Sequence, residues 1–146
     1  MPDTHDQLTS DHGWDTWKHL SFLKDVISLL REYNIRSSVF VDPDPVAIEG
    51  AAEIKTDRIE LYTEPYARLF PIDHVKAVEP FVEASRLAGN LGLEVNAGHD
   101  LNLENLNYLY KRLPNLDEVS IGHALISDAL YMGLEKTIQK YLECLK

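Results

Sequence analysis

The sequence predicts an α/β protein in which an opening helix is followed by four successive strand–helix pairs. Two observations predict it. Five helical stretches and four short strand-like runs alternate strictly along the chain, and Gly, Pro or Asn punctuates most of the joins. Strict alternation implies parallel strands joined by right-handed crossovers. Two architectures satisfy it: an open doubly wound sheet, or part of a closed eight-stranded barrel, of which four strands are half.

The first helix is predicted over Trp14–Tyr33, where Trp14, Trp17, Phe22, Val26, Ile27, Leu29, Leu30 and Tyr33 recur at helical steps. Asn34 ends it, because Asn tolerates the left-handed conformation found past helix ends. Arg36–Asp42 reads as a strand. The stretch Pro43–Ile54 opens on Asp and Pro, both suited to a helix N-terminus, and reads as a short helix. Asp57–Tyr62 is the second strand. A loop carrying Pro65 and Pro71 leads to a long helix over Asp73–Leu91, closed by Gly92. Leu93–Asn96 is the third strand. Asn102 caps a helix that runs through Arg112 and is broken by Pro114. Glu118–Ile121 is the fourth strand, and Ala124–Leu145 the final helix.

Composition narrows the function. The chain has 146 residues, 45% of them hydrophobic, enough for one folded domain. Acidic residues outnumber basic ones by 24 to 14, a net charge of −10 that argues against a nucleic-acid binder. Small phosphorylated ligands stay open, since backbone N–H groups at helix N-termini hold them without a basic patch. The single cysteine, Cys144, suits a reducing cytoplasm. The polar stretch before Trp17 has no signal-peptide pattern, and no run reaches the ~18–20 apolar residues that span a membrane. The chain opens on a polar loop and a helix instead of a strand. A βα unit without its strand gives the expectation that residues 1–146 form one partial domain, starting mid-fold.

In α/β folds, ligands meet the carboxyl ends of the strands. The third strand runs into Asn96-Ala97-Gly98-His99-Asp100, and the fourth into Ile121-Gly122-His123. Gly-His at two successive strand ends points to a phosphate or enolate site, with glycine admitting close backbone approach. His99 is either an acid–base group or a satisfied loop histidine. His123 reads more simply as a structural or backbone contributor. Glu60 lies opposite Ile59 and Leu61 on its strand. Turned inward in a barrel, it needs either a buried partner or a function. Trp14 and Trp17 read as packing residues. His5, His12, His19 and His74 lack metal-ligand spacing, so neither a metal site nor a cofactor is read. Walker, nucleophile-elbow and dinucleotide motifs are absent from the sequence.

The same residues resemble a known family. VNAGHDLNLEN (Val95–Asn105) and DEVSIGHALI (Asp117–Ile126) are similar to the last two strand ends of pyridoxine 5′-phosphate synthase. Residues Met1–Asp15 resemble the loop after its fourth strand, and SVFVDPD (Ser38–Asp44) and RIELYTEPYA (Arg58–Ala67) its fifth and sixth strands. The resemblance is collinear along the whole chain. It implies the second half of a TIM-type (β/α)8 barrel that assembles into homo-oligomers, typically octamers. It implies a cytoplasmic, transferase-type condensation in vitamin B6 biosynthesis. There, 1-deoxy-D-xylulose 5-phosphate and 3-amino-2-oxopropyl phosphate give pyridoxine 5′-phosphate, phosphate and water. On it, His99 is the proton donor and Glu60 stabilises the transition state. Thr9 contacts the deoxyxylulose phosphate, and Asp100, Gly122 and His123 contact the aminooxopropyl phosphate.

The sequence departs from the family in two ways. Asp100 stands where the family usually has glycine. The family's first four strands, with their arginines and the histidine and glutamate that act as bases, have no counterpart, so the chain is expected to be inactive alone. The alternatives are a non-catalytic phosphate-binding half-barrel or interaction module, and a phosphate-binding barrel enzyme with another substrate.

Overall fold

The computed structural model describes residues 2, 3 and 6–146, so Met1 and the expectation for His5 lie outside it. Its elements are α1 Leu20–Glu32, β1 Ser38–Val41, α2 Pro45–Glu53, β2 Arg58–Tyr62, α3 Glu64–Leu69, α4 His74–Asn90, β3 Glu94–Gly98, α5 Leu106–Arg112, β4 Leu116–Ser120, α6 His123–Met132 and α7 Leu134–Glu143. The four strands form one parallel sheet in the order β1-β2-β3-β4. The spatial order never reverses, so the sheet lacks the switch point of a doubly wound fold. Four parallel strands in consecutive order are what a partial barrel requires.

Alternation along each strand divides the sheet into two faces. Val39, Val41, Ile59, Leu61, Val95 and Ala97 are buried in the core together with Ile48, Ala51, Phe81, Ala84, Ala88 and Leu109 from α2, α4 and α5. The other face is polar. Arg58, on β2, donates to Glu94 on β3 and Glu118 on β4, and Arg36 donates to Glu94 as well. This ion network ties the amino-terminal half of the sheet together on the face that carries Glu60.

Several boundaries differ from the sequence expectation, each for a physical reason. The first helix begins at Leu20, not Trp14. Residues before it are held in turns by tertiary bonds: Trp14 N–H donates to the Phe40 carbonyl at 2.8 Å, and Thr16 Oγ1 to the Ala47 carbonyl at 2.9 Å. Trp14 packs against the core from this turn, while Trp17 donates its indole N–H to the Val46 carbonyl. Of the apolar residues on α1, Leu23 and Ile27 are buried, whereas Phe22, Val26 and Leu29 are exposed, as is Tyr33 just past its end. Asn34 does end the helix region, with φ 56°.

The loop carrying Pro65 contains α3, because Pro is tolerated in a first helical turn. Asp44 and Asp73 cap α2 and α4 with their side chains, as their positions predict. Asn102 does not cap α5. Its Oδ1 accepts the N–H groups of Glu104 and Asn105, and α5 starts only at Leu106. The final helix is two helices, separated by Gly133 at φ 81° and ψ 146°, a conformation essentially reserved for glycine.

Phe81 anchors the core of α4. It is 2% exposed and meets Tyr66 edge-on, with ring centroids 5.8 Å apart. Phe81→Ala is expected to lower the unfolding free energy by roughly 3–5 kcal/mol, read from denaturant titration followed by circular dichroism. A change under about 1 kcal/mol contradicts this packing.

Candidate active site

Strands that run in one direction deliver all their carboxyl ends to one side of the sheet. A cavity of about 680 Å³ lies there, and Thr9, Glu60, His99, Asp100, Gly122 and His123 all line it. Every site residue expected from the sequence is therefore brought together. Tyr62, Glu64, Asn102 and Ser120 complete much of the wall. Among the described residues, neither lysine nor arginine lines this cavity.

Glu60 sits beside Phe40 of β1 and Asn96 of β3 in the register, on the polar face. Its carboxylate lies over Gly98: a β-carbon there would stand 2.5 Å from Glu60 Oε1 and 3.2 Å from Ser120 Cβ. Ser120 pairs with Gly98 in the register and lies on the side of Gly98 where that carboxylate sits. Burial lifts the Glu60 carboxyl above its ordinary 4.5, the nearby Glu118 adds to the rise, and His99 and Ser120 oppose it. Asn96 adds a further polar group to this face, buried, with its Oδ1 unpaired among the described residues.

His99 follows the last residue of β3. It has φ 81° and the next residue, Asp100, has φ 56°. Two consecutive non-glycine residues in the left-handed region are uncommon. Asp tolerates it better than most side chains. The turn sets the His99 ring against Phe40 and Tyr62, at centroid distances of 5.0 and 5.2 Å.

The fourth strand delivers Gly122 and His123. Gly122 is the N-terminal boundary residue of α6, with no side-chain cap and no acidic residue in the first turn. The first-turn N–H groups and the positive end of the helix dipole thus meet the cavity at Gly122, His123 and Ala124. Gly122 has φ −105°, and an added β-carbon would meet nothing within 4 Å. Its backbone does not demand glycine, so the residue's effect is to leave the approach open. Thr9 and Ser10 come from the segment before α1.

Sequence reasoning missed Phe40, Tyr62, Thr63, Asn105 and Ser120. Each reads locally as an ordinary strand or loop residue, and only cross-strand register assembles them. A second cavity, about 510 Å³, lies by Asp42 and Asp44 and includes none of the expected site residues. Its carboxylates serve the fold: Asp42 accepts from Gly13 N–H, Asp15 from Lys18 N–H and Asp44 from Val46 N–H.

The family model described as pyridoxal phosphate biosynthesis protein PdxJ matches residues 1–146. The pyridoxine 5′-phosphate synthase of Bacteroides fragilis is 58% identical over 146 residues, covering 100% of this chain and 62% of the relative. Those of Bacteroides thetaiotaomicron and Cytophaga hutchinsonii are each 57% identical over 146 residues, covering 62% and 61% of the relatives. The chain thus spans about three-fifths of the length of these curated relatives.

The raised Glu60 carboxyl has a stability consequence. A group protonated more readily in the folded state stabilises it fully below its unfolded pKa, and that contribution is lost as pH rises through the folded value. Glu60→Gln removes the loss. The variant is expected to melt higher than the parent near neutral pH, with the gap closing as pH falls below the ordinary carboxylate range. Thermal melts across roughly pH 4–8 check it; a gap that widens toward acid contradicts it.

Proposed function

The chain belongs to the PdxJ family of pyridoxal phosphate biosynthesis proteins, and on that footing we propose that it is the second half of a pyridoxine 5′-phosphate synthase barrel. The single observation that carries the reading is the shared cavity. One histidine, one half-buried carboxylate and one uncapped helix N-terminus face the same space at the strand ends. Ring-closing condensation needs proton transfers in a water-poor cavity and fixed seats for two phosphates. His99, flanked by aromatic rings, is placed to deliver a proton. Glu60, held over Gly98, is placed to stabilise positive charge developing on the substrates. The amides at Gly122 and His123 seat the phosphate of 3-amino-2-oxopropyl phosphate, and Thr9 contacts 1-deoxy-D-xylulose 5-phosphate. Asp100 adds a carboxylate at the position where the family uses a backbone contact.

What this chain does not bring also shapes the proposal. Among the described residues its cavity lining holds no lysine or arginine, so the cations that balance two phosphates come from the other barrel strands. The two proton acceptors belong there as well, and the chain alone is inactive. The edges of the sheet support incompleteness. β4 and α6 contain no buried residue, and Ile126, Leu130 and Tyr131 of α6 and Leu134 and Leu142 of α7 are exposed. At the other edge Phe22 and Leu29 of α1 and Tyr33 just after it are exposed. Residues 1–146 then form one partial domain of a cytoplasmic homo-oligomer, the family octamer. Among the described residues no helix is long and apolar enough to cross a membrane.

His99→Asn is the test of the chemical assignment. The chain is supplemented with the part of the B. fragilis relative that it does not cover, and phosphate release is followed with both substrates. The substitution is expected to lower kcat by roughly 10²–10⁴-fold, the range for one general acid–base group. Turnover within a factor of about three of the parent removes His99 from the mechanism.

A further inference from the structure

We propose that Thr63, together with Asn105, positions His99, a role that rests on the synthase reading but is visible without it. Thr63 directly follows β2 and is fully buried. It stands at the N-terminal boundary of α3, where a threonine hydroxyl ordinarily caps its own helix, yet it makes no such bond. Its hydroxyl reaches across to β3, 2.5 Å from the carbonyl oxygens of both Gly98 and His99. Its N–H donates to the Gly98 carbonyl as well, at 2.9 Å.

The other end of the turn is held by Asn105, which is 2% exposed. Its Nδ2 donates to the Asp100 carbonyl at 3.1 Å, and its own carbonyl accepts the Tyr66 hydroxyl at 2.7 Å. Three successive carbonyls, at Gly98, His99 and Asp100, are thus held by Thr63, through its N–H and its one shared hydroxyl hydrogen, and by Asn105. Between them lie the two left-handed residues, His99 and Asp100. Such conformations persist only where the surroundings hold them. Released from Thr63, the peptide after His99 is free to relax to negative φ, and the imidazole leaves its place against Phe40 and Tyr62. Tyr62 is the residue before Thr63, so one short segment supplies both the ring that flanks His99 and the clamp that turns it.

The test reads the ring directly. In the chain labelled at histidine, the His99 ring signal is assigned by its loss in His99→Asn. Next to Phe40 and Tyr62 that signal carries a ring-current shift. Thr63→Val keeps the shape and removes the donor; the shift is expected to collapse toward that of an exposed histidine, while the His123 signal stays put. Thr63→Ser is expected to retain it. Should Thr63→Val not fold, Asn105→Ala, which frees the Asp100 carbonyl, is expected to move the same signal. In the supplemented chain, Thr63→Val is expected to lower kcat roughly 10–100-fold, with KM within about twofold, and Thr63→Ser to rescue most of it. An unmoved His99 signal in Thr63→Val, or in Asn105→Ala where Val does not fold, overturns the proposal, as does equal loss in Val and Ser. If the signals move as expected but even the parent forms no product, the synthase reading falls and the positioning role stands.

Discussion

A β-carbon at residue 98 would stand 2.5 Å from the Glu60 carboxylate and 3.2 Å from the β-carbon of Ser120. The empty space above Gly98 is therefore what lets a carboxylate from β2 lie across β3. The same residue's carbonyl is the point at which Thr63 fastens the strand end. Glu60 and His99, the two side chains assigned to chemistry, thus meet at one glycine. Any larger residue there displaces the first, and any loosening of its carbonyl releases the second.

Around that point the sheet uses its two faces for different ends. The apolar face is buried under helices and carries the hydrophobic stabilisation. The polar face concentrates charge: an arginine-centred network toward the amino-terminal end, and carboxylate, imidazole and hydroxyl groups toward the carboxyl end. Charge on a sheet face is costly unless paired or solvated. Pairing serves at the first end. At the second, Glu60 is left partly desolvated, with its carboxyl raised. That is the condition in which a carboxylate responds most strongly to positive charge brought in by a substrate.

The candidate site was legible in the sequence because parallel strands send their carboxyl ends to one side. Gly-His pairs at residues 98–99 and 122–123 fell at two of those ends, and the period of two turned Glu60 away from Ile59 and Leu61. The supporting residues were not legible. Thr63 looks like a helix cap and Ser120 like a strand end, since what brings them to the site spans β2 to β3 and β3 to β4. Errors in the fold have a similar origin. Trp14 continues the helical spacing of α1, but its N–H is claimed by the Phe40 carbonyl across the fold, and the helix starts a turn and a half later. Gly133 interrupts an otherwise helical pattern with a backbone conformation that composition alone does not reveal. Phe22, Leu29 and Tyr33 follow helical periodicity yet remain exposed, because periodicity marks an apolar face without saying what covers it.

The central claim is that these strands carry the proton donor and a phosphate seat of a synthase whose bases and cations stand on other strands. The most direct test mixes this chain with the part of a curated relative that it does not cover. Phosphate release and pyridoxine 5′-phosphate formation are then measured for the mixture and for each piece alone. The account predicts product only in the mixture. Product from this chain by itself contradicts it, and so does a well-assembled mixture that forms none.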